Sequence, residues 1–266
     1  MTSSGLVATA LPSQRQTGQI LRWPRKAWIA TTYVLKAVTK LAQYCRHRPK
    51  YPAAALDYDT YWGVRDEVEV GERFRALASL IEPGAEVLDV GCGEGTFLEY
   101  LVRTRSAKAW GVDISEAALK TARGRGLSVE RGDASQGELP DRPCDHVVAA
   151  EVLEHIPEPE KLLLAAGRRC RRSVVVSIPN VGFYFDRLRL LFGRFPVQWL
   201  HHPSEHLRFF TVRDFVEWAN DLGFEVENIV PVTGFPVLMR WWPNLFAQQT
   251  VMALVPRQRA DRGEAS

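Results

Sequence analysis

The sequence predicts an α/β protein built on a doubly wound, seven-stranded, mostly parallel sheet, with a basic helical N-terminal extension. Three observations carry that expectation. Short Val-rich runs that do not alternate with polar residues recur between helical periods, as strands covered on both faces require. The run Ala85-Glu86-Val87-Leu88-Asp89-Val90-Gly91-Cys92-Gly93-Glu94-Gly95-Thr96 closes an apolar strand in three glycines and then opens a helical period. Charge is also divided unevenly over the 266 residues. Residues 1–56 hold nine Lys/Arg and no Asp or Glu, whereas the remainder holds 25 basic and 31 acidic side chains.

Taken in order, residues 1–24 lack any lasting period and predict a disordered segment. From about Lys26 to Arg46, Trp28, Leu35, Val38, Ala42 and Cys45 fall near one helical face, with Lys36 and Lys40 elsewhere. That helix reads in three ways: packed on its own domain or a partner, lying on a membrane surface, or part of an Arg-rich transit peptide. Pro49 and Pro52 mark a linker, and residues 57–256 form the main domain. A helix from about Asp66 to Ile81 ends at Pro83-Gly84. The strands follow as 85–90, 107–113, 127–131, 145–150, 173–178, 224–230 and 249–255. Helices from Thr96, over Glu116–Arg125, around Glu158–Arg169 and over Val212–Leu222 separate them. Ser115 is placed to cap the second of these helices, Glu116–Arg125. An insertion of about 30 residues, 181–210, interrupts the alternation, and residues 257–266 predict a frayed tail.

Composition narrows the class. Apolar residues make up 46% and charged residues 24%, the balance of a globular domain. Cys45, Cys92, Cys144 and Cys170 form no C-x-x-C pair, which disfavours a disulfide framework or cysteine zinc site and favours a reducing, cytoplasmic compartment. No stretch of about 20 uncharged apolar residues is present, so no membrane-spanning helix is predicted, and the start shows no secretory pattern. Peripheral membrane or partner contact is expected through the helix at 26–46.

The glycine spacing is G-x-G-x-G. A dinucleotide loop uses G-x-G-x-x-G, whose third glycine would fall at Thr96. An acid followed by G-x-G-x-G resembles the first motif of the class I, Rossmann-like methyltransferases that use S-adenosyl-L-methionine (SAM). That resemblance implies that Gly91, Gly93 and Gly95 cradle SAM and that Asp89 orders the loop and attracts the methionine ammonium. Asp113, 24 residues on at the end of the second strand, would accept both ribose hydroxyls. Asp133, after the third strand, would accept from the adenine amino group, with Ile114 and Ala134 sandwiching the ring. Each acid alone is more often a turn or cap residue; three at successive strand ends point to one ligand. Tyr58, Tyr61 and Trp62 are placed by the same resemblance to fold over the cofactor, and read also as core aromatics.

After the fourth strand comes Glu151-Val152-Leu153-Glu154-His155-Ile156-Pro157. On a helix, Glu151, Glu154 and His155 would share a face. With His206 further on, the E-x-x-E-H…H arrangement looks like that of small-RNA 2′-O-methyltransferases and some quinone-pathway O-methyltransferases. There the four residues hold a divalent metal, Mg or Mn, that polarises an acceptor hydroxyl. The competing expectation is that His155 is a general base or orients substrate, with no metal at all.

The insertion mixes Arg187, Arg189 and Arg194 with aromatic and leucine residues. It reads as a substrate cap, as a dimer surface, or, by default, as an amphipathic helix with a solvated basic face. From Arg131-Gly132-Asp133, Ile178-Pro179-Asn180-Val181-Gly182-Phe183 and His206-Leu207-Arg208-Phe209-Phe210-Thr211, the domain looks most like the MetW-type proteins and the ubiquinone-pathway methyltransferase domains. The basic extension departs from that pattern. The function expected is methyl transfer from SAM to a small-molecule or lipid-linked acceptor, with oxygen as nucleophile. The alternatives are a SAM-binding, non-catalytic partner subunit and, against the acidic balance of the domain, an RNA 2′-O-methyltransferase.

Overall fold

The computed structural model describes residues 70–198 and 205–257, together with Thr39 and residues 42–44. The chain divides into two units, 1–46 and 47–266. In the first, the four described residues are helical. The expectations for residues 1–24, for Tyr58, Tyr61 and Trp62, and for most of the tail and of the helix at 26–46 lie outside the described residues. Among the described residues no helix is long and apolar enough to cross a membrane.

The second unit is a seven-stranded sheet in the order β3-β2-β1-β4-β5-β7-β6. The strands are β1 (Glu86–Val90), β2 (Lys108–Asp113), β3 (Val129–Arg131), β4 (Cys144–Ala150), β5 (Cys170–Pro179), β6 (Phe224–Gly234) and β7 (Ala247–Pro256). The first five pair in parallel, and β7 lies antiparallel between β5 and β6. The helices are α1 (Glu72–Ser79), α2 (Thr96–Arg105), α3 (Glu116–Gly124), α4 (Pro159–Arg169), α5 (Tyr184–Leu191) and α6 (Val212–Asp221). Two single turns, α7 (Leu238–Trp241) and α8 (Pro243–Phe246), join β6 to β7.

Successive strand residues point to opposite faces, and each face has its own core. Leu88, Val90, Val147, Val174 and Val176 pack with Leu162 and Leu163 of α4 and Phe215 of α6. Val87, Val148, Val175 and Val251 pack with Phe74 and Leu77 of α1 and Phe97 and Leu101 of α2. The Val-rich runs are therefore buried on both sides, which is why they do not alternate.

Three expectations need correction. Strand β6 runs on to Gly234, through Pro231, because it is an edge strand paired only with β7 and loses no second ladder to the missing N–H. The segment after β4 is not helical: Glu151 takes a left-handed φ of 57°, Leu153–His155 form one 3-10 turn, and Ile156 is extended before Pro157. Helix α4 starts only at Pro159, so Glu151 does not share a helical face with Glu154 and His155. Finally, only part of the basic face expected of α5 meets solvent: Arg187 is exposed, but Arg189 is not. Arg189 is 1% exposed and its Nε donates to the Phe195 carbonyl at 2.7 Å, while Leu191 and Phe192 are 77% and 68% exposed.

Candidate active site

Parallel pairing brings the carboxyl ends of β1 to β5 to one edge, and the residues singled out from the sequence gather there. Gly91, Gly93 and Gly95 all have positive φ (69°, 53° and 79°). At Gly91 the requirement is double: a Cβ would sit 2.6 Å from Val152 Cγ2, in a backbone conformation that side chains rarely adopt. The loop is tied to β2 by Gly91 N–H and Cys92 N–H, which donate to the Val112 carbonyl at 2.8 and 3.2 Å. Gly95 then caps α2 in the left-handed conformation with no side-chain acceptor, which leaves the first turn's N–H groups facing the loop.

Asp113 is the organiser of this loop. Its Oδ2 accepts from Gly93 N–H at 2.8 Å and its Oδ1 from Ser115 N–H at 2.9 Å. Each carboxylate oxygen offers two lone pairs, so these bonds are compatible with further acceptance from a ligand hydroxyl. Ser115 caps α3 as expected, its Oγ accepting from Ala118 N–H at 3.2 Å. Asp89, one residue inside the end of β1, is 2% exposed. Burial, with the neighbouring Asp113 charge, raises its pKa to about 8, against a smaller opposing pull from Arg73. Asp133 caps the 3-10 turn Ala134–Gln136, its Oδ1 accepting from Ser135 N–H at 2.9 Å. Ile114 stands 43% exposed beside the loop, and Ala134 packs against the core.

Arg73 of α1 escaped the sequence reading. It lies far from any motif and carries no spacing signal, yet its NH1 is 3.8 Å from Glu151 Oε2. It also lowers the pKa values of Asp89 and Glu154, and so acts as the cation shared by three carboxyl groups.

The four candidate metal or acid–base residues divide. Glu151 turns away: its Oε1 accepts from Ser177 Oγ at 2.9 Å. Glu154, His155 and His206 come together, with one ligand atom from each lying within 4.8 Å of the others. Glu154 is wholly buried and neither carboxyl oxygen has a hydrogen-bond partner. Burial, and after it the charge of Glu151, push its pKa well up. The imidazoles of His155 and His206 meet edge to face at 4.9 Å. His155 Nδ1 donates to the Glu205 carbonyl, which puts the basic lone pair on Nε2. Burial lowers the His206 pKa to about 4, so its ring is neutral near pH 7, and its buried Nδ1 has no partner. Asn180, wholly buried at the end of β5, links the strand to its surroundings. Its Nδ2 donates to the Ala247 carbonyl at 2.6 Å, and its Oδ1 accepts from Gly182 and Val212 N–H.

A sheet of this order with its seventh strand reversed, a three-glycine turn after β1 and acids at the next two strand ends together define a class I SAM-dependent methyltransferase. The family model of the methionine biosynthesis protein MetW matches residues 71–254, and the chain belongs to that family. Among curated relatives, the ubiquinone biosynthesis O-methyltransferase of Leptothrix cholodnii is 27% identical over 183 residues, which is 65% of this chain and 77% of the relative. Its counterpart in Pseudomonas paraeruginosa is 29% identical over 165 residues, 58% of this chain and 70% of the relative. Of solved structures, magnesium protoporphyrin IX methyltransferase from Synechocystis PCC 6803 with bound SAH is 16% identical with a TM-score of 0.51. The match covers 86% of this chain and 99% of that one, and shows a shared fold.

Proposed function

We propose that the chain transfers the SAM methyl group to an oxygen of a small-molecule or lipid-linked acceptor. The observation that carries this is the buried Glu154 carboxyl, without a partner, set against two imidazoles at the same strand edge as the cofactor loop. A hydroxyl nucleophile must lose its proton as the carbon–oxygen bond forms, and His155 Nε2 is the basic atom in this cluster. Asp89 and Asp113 hold the cofactor by its ammonium and ribose, with Asp133, Ile114 and Ala134 around the adenine. Most of the rate gain comes from holding the acceptor oxygen in line with the sulfonium methyl. The O-methyltransferase names of the curated relatives support oxygen as the acceptor.

A second reading, a divalent metal such as Mg or Mn, is favoured by the buried atoms without a partner, both Glu154 carboxyl oxygens and His206 Nδ1, which gather with His155 into a donor set that suits such an ion. Glu154, His155 and His206 would hold it, with Glu151 outside the set. When bound, it would lower the pKa of the acceptor hydroxyl.

Purified full-length protein, incubated with methyl-labelled SAM and a lipid extract, should release S-adenosylhomocysteine and label an extractable product. Loss of turnover in EDTA, restored by Mg²⁺ or Mn²⁺, selects the metal reading; insensitivity to both selects His155 alone. SAM binding with no turnover on any acceptor would leave the partner-subunit function instead.

A further inference from the structure

The connection from β6 to β7, residues 235–246, forms a crown that the cofactor site does not use. Apart from Arg240, its exposed side chains are apolar: Val237 is 77% exposed, Trp241 87%, Trp242 53% and Phe235 40%. Pro236, Val237, Met239, Arg240 and Trp241 line an open groove of about 690 Å³. Val237 has a φ of 69°, a left-handed conformation that costs a β-branched residue most, yet a valine stands there and points outward. Isolated apolar residues on a surface are ordinary, but a contiguous cluster of this kind marks a contact surface.

The crown's position follows from the sheet. Strand β6 runs in the direction of β5, because both lie antiparallel to β7, and Gly234 pairs with Ala247. The crown therefore stands on the carboxyl edge, the edge that carries the glycine loop, Asp113 and Glu154. It is fixed there by Asn180, which donates to the Asn244 and Ala247 carbonyls at 3.2 and 2.6 Å, and by the Tyr184 ring of α5, 5.9 Å from that of Phe246.

Charge selects the occupant. No Asp or Glu occurs between Glu227 and Asp261, nor between Asp186 and Glu205, whereas Arg240 and Arg187 are exposed on these two segments. Residues 57–266 as a whole are net acidic, so the rim is locally cationic on an acidic domain. Tryptophans beside an arginine suit a bilayer interface, where the rings enter the headgroup boundary and the guanidinium meets anionic phosphate. A second copy of the chain fits less well, since a two-fold contact through the crown would bring two Arg240 side chains together.

We propose that the crown docks the carboxyl edge of the sheet on an anionic lipid surface, so that the acceptor reaches the methyl-transfer site from the bilayer. The source of the acceptor rests on the methyl-transfer reading; the docking does not.

The test uses the full chain with vesicles of phosphatidylcholine alone or mixed with phosphatidylglycerol, in each case with and without brominated acyl chains. The native protein should float with the mixed vesicles far better than with phosphatidylcholine, and brominated chains should quench its tryptophan emission. The double variant Val237→Asp, Trp241→Glu should partition about tenfold less or weaker still, because apolar area is lost and charge is reversed. Asp tolerates a left-handed φ better than Val, so the variant should keep its fold and its affinity for S-adenosylhomocysteine. Flotation equal in native and variant proteins, no flotation of either, or a lipid-free dimer that depends on Trp241 would each overturn the docking. Failed flotation with S-adenosylhomocysteine binding intact removes the docking alone. Flotation without cofactor binding removes the methyl-transfer reading alone.

Discussion

At Asp89 a carboxyl group is buried so fully that its pKa rises from 3.8 to about 8, burial and the Asp113 charge outweighing the pull of Arg73. The sign of its effect on stability is fixed by that direction. Folding favours the protonated form, so the contribution is fully present below pH about 4 and is lost as pH climbs through about 8. A ligand ammonium would stabilise the ionised form instead. SAM affinity should therefore rise between pH 6 and 8, with net proton release on binding, readable by calorimetry in buffers of different ionisation enthalpy; Asp89→Asn should abolish the release. Glycine 91 gives a second test at this scale. Gly91→Ala adds a Cβ at 2.6 Å from Val152 in a left-handed backbone, and should cost about 1–3 kcal/mol in chemical denaturation while weakening SAM binding. His155→Gln removes the basic Nε2. Methyl transfer should fall by about 10²–10⁴-fold with little change in the melting temperature.

At the scale of elements, the expectations that succeeded are those that physics enforces locally. Val174, Val175 and Val176 declare a doubly covered strand because each residue must find an apolar neighbour on whichever side it points. The glycine turn is legible for the same reason: few other residues tolerate three positive φ angles in five positions. The turn after β4 was illegible because Glu151, Glu154 and His155 have helical spacing in a segment that Pro157 and the torsion at Glu151 keep from being helical. The corrected geometry is more informative than the expected one, since it sends Glu151 to Ser177 and brings His206 to Glu154 from the far side of the insertion. Arg189 deceived in another way. An Arg/Leu pattern reads as a solvated basic face, but here the guanidinium group closes the turn after α5 and the leucines face out. Arg189→Met should therefore destabilise the chain by about 2–4 kcal/mol, an effect no surface arginine would give.

For the molecule as a whole, the sheet is a frame whose carboxyl edge carries three separate devices. The glycine loop lies over β1 and β2, the Glu154–His155–His206 cluster follows β4, and the apolar crown rises from β6 and β7. Strand direction, set by parallel pairing and the reversed β7, puts all three on one side. Sequence reading reached the first device through motif spacing and the second through residue type. It missed the third, because Phe235-Pro236-Val237-Leu238-Met239-Arg240-Trp241-Trp242 has the composition of a core segment and only solvent exposure shows otherwise. Arg73 was missed for a related reason: its role exists only once α1 packs on the sheet and brings it to Glu151 and Asp89.

The central claim, that the glycine loop and its acids form a SAM pocket, is tested most directly by titrating S-adenosylhomocysteine into native protein and Asp113→Ala in a calorimeter. Both chains should be folded by circular dichroism. The account predicts one site in the native chain and binding about 10–100-fold weaker in the variant, which loses charge-assisted bonds to ligand and loop alike. Equal affinity in the two chains, or no binding by the native one, would contradict it.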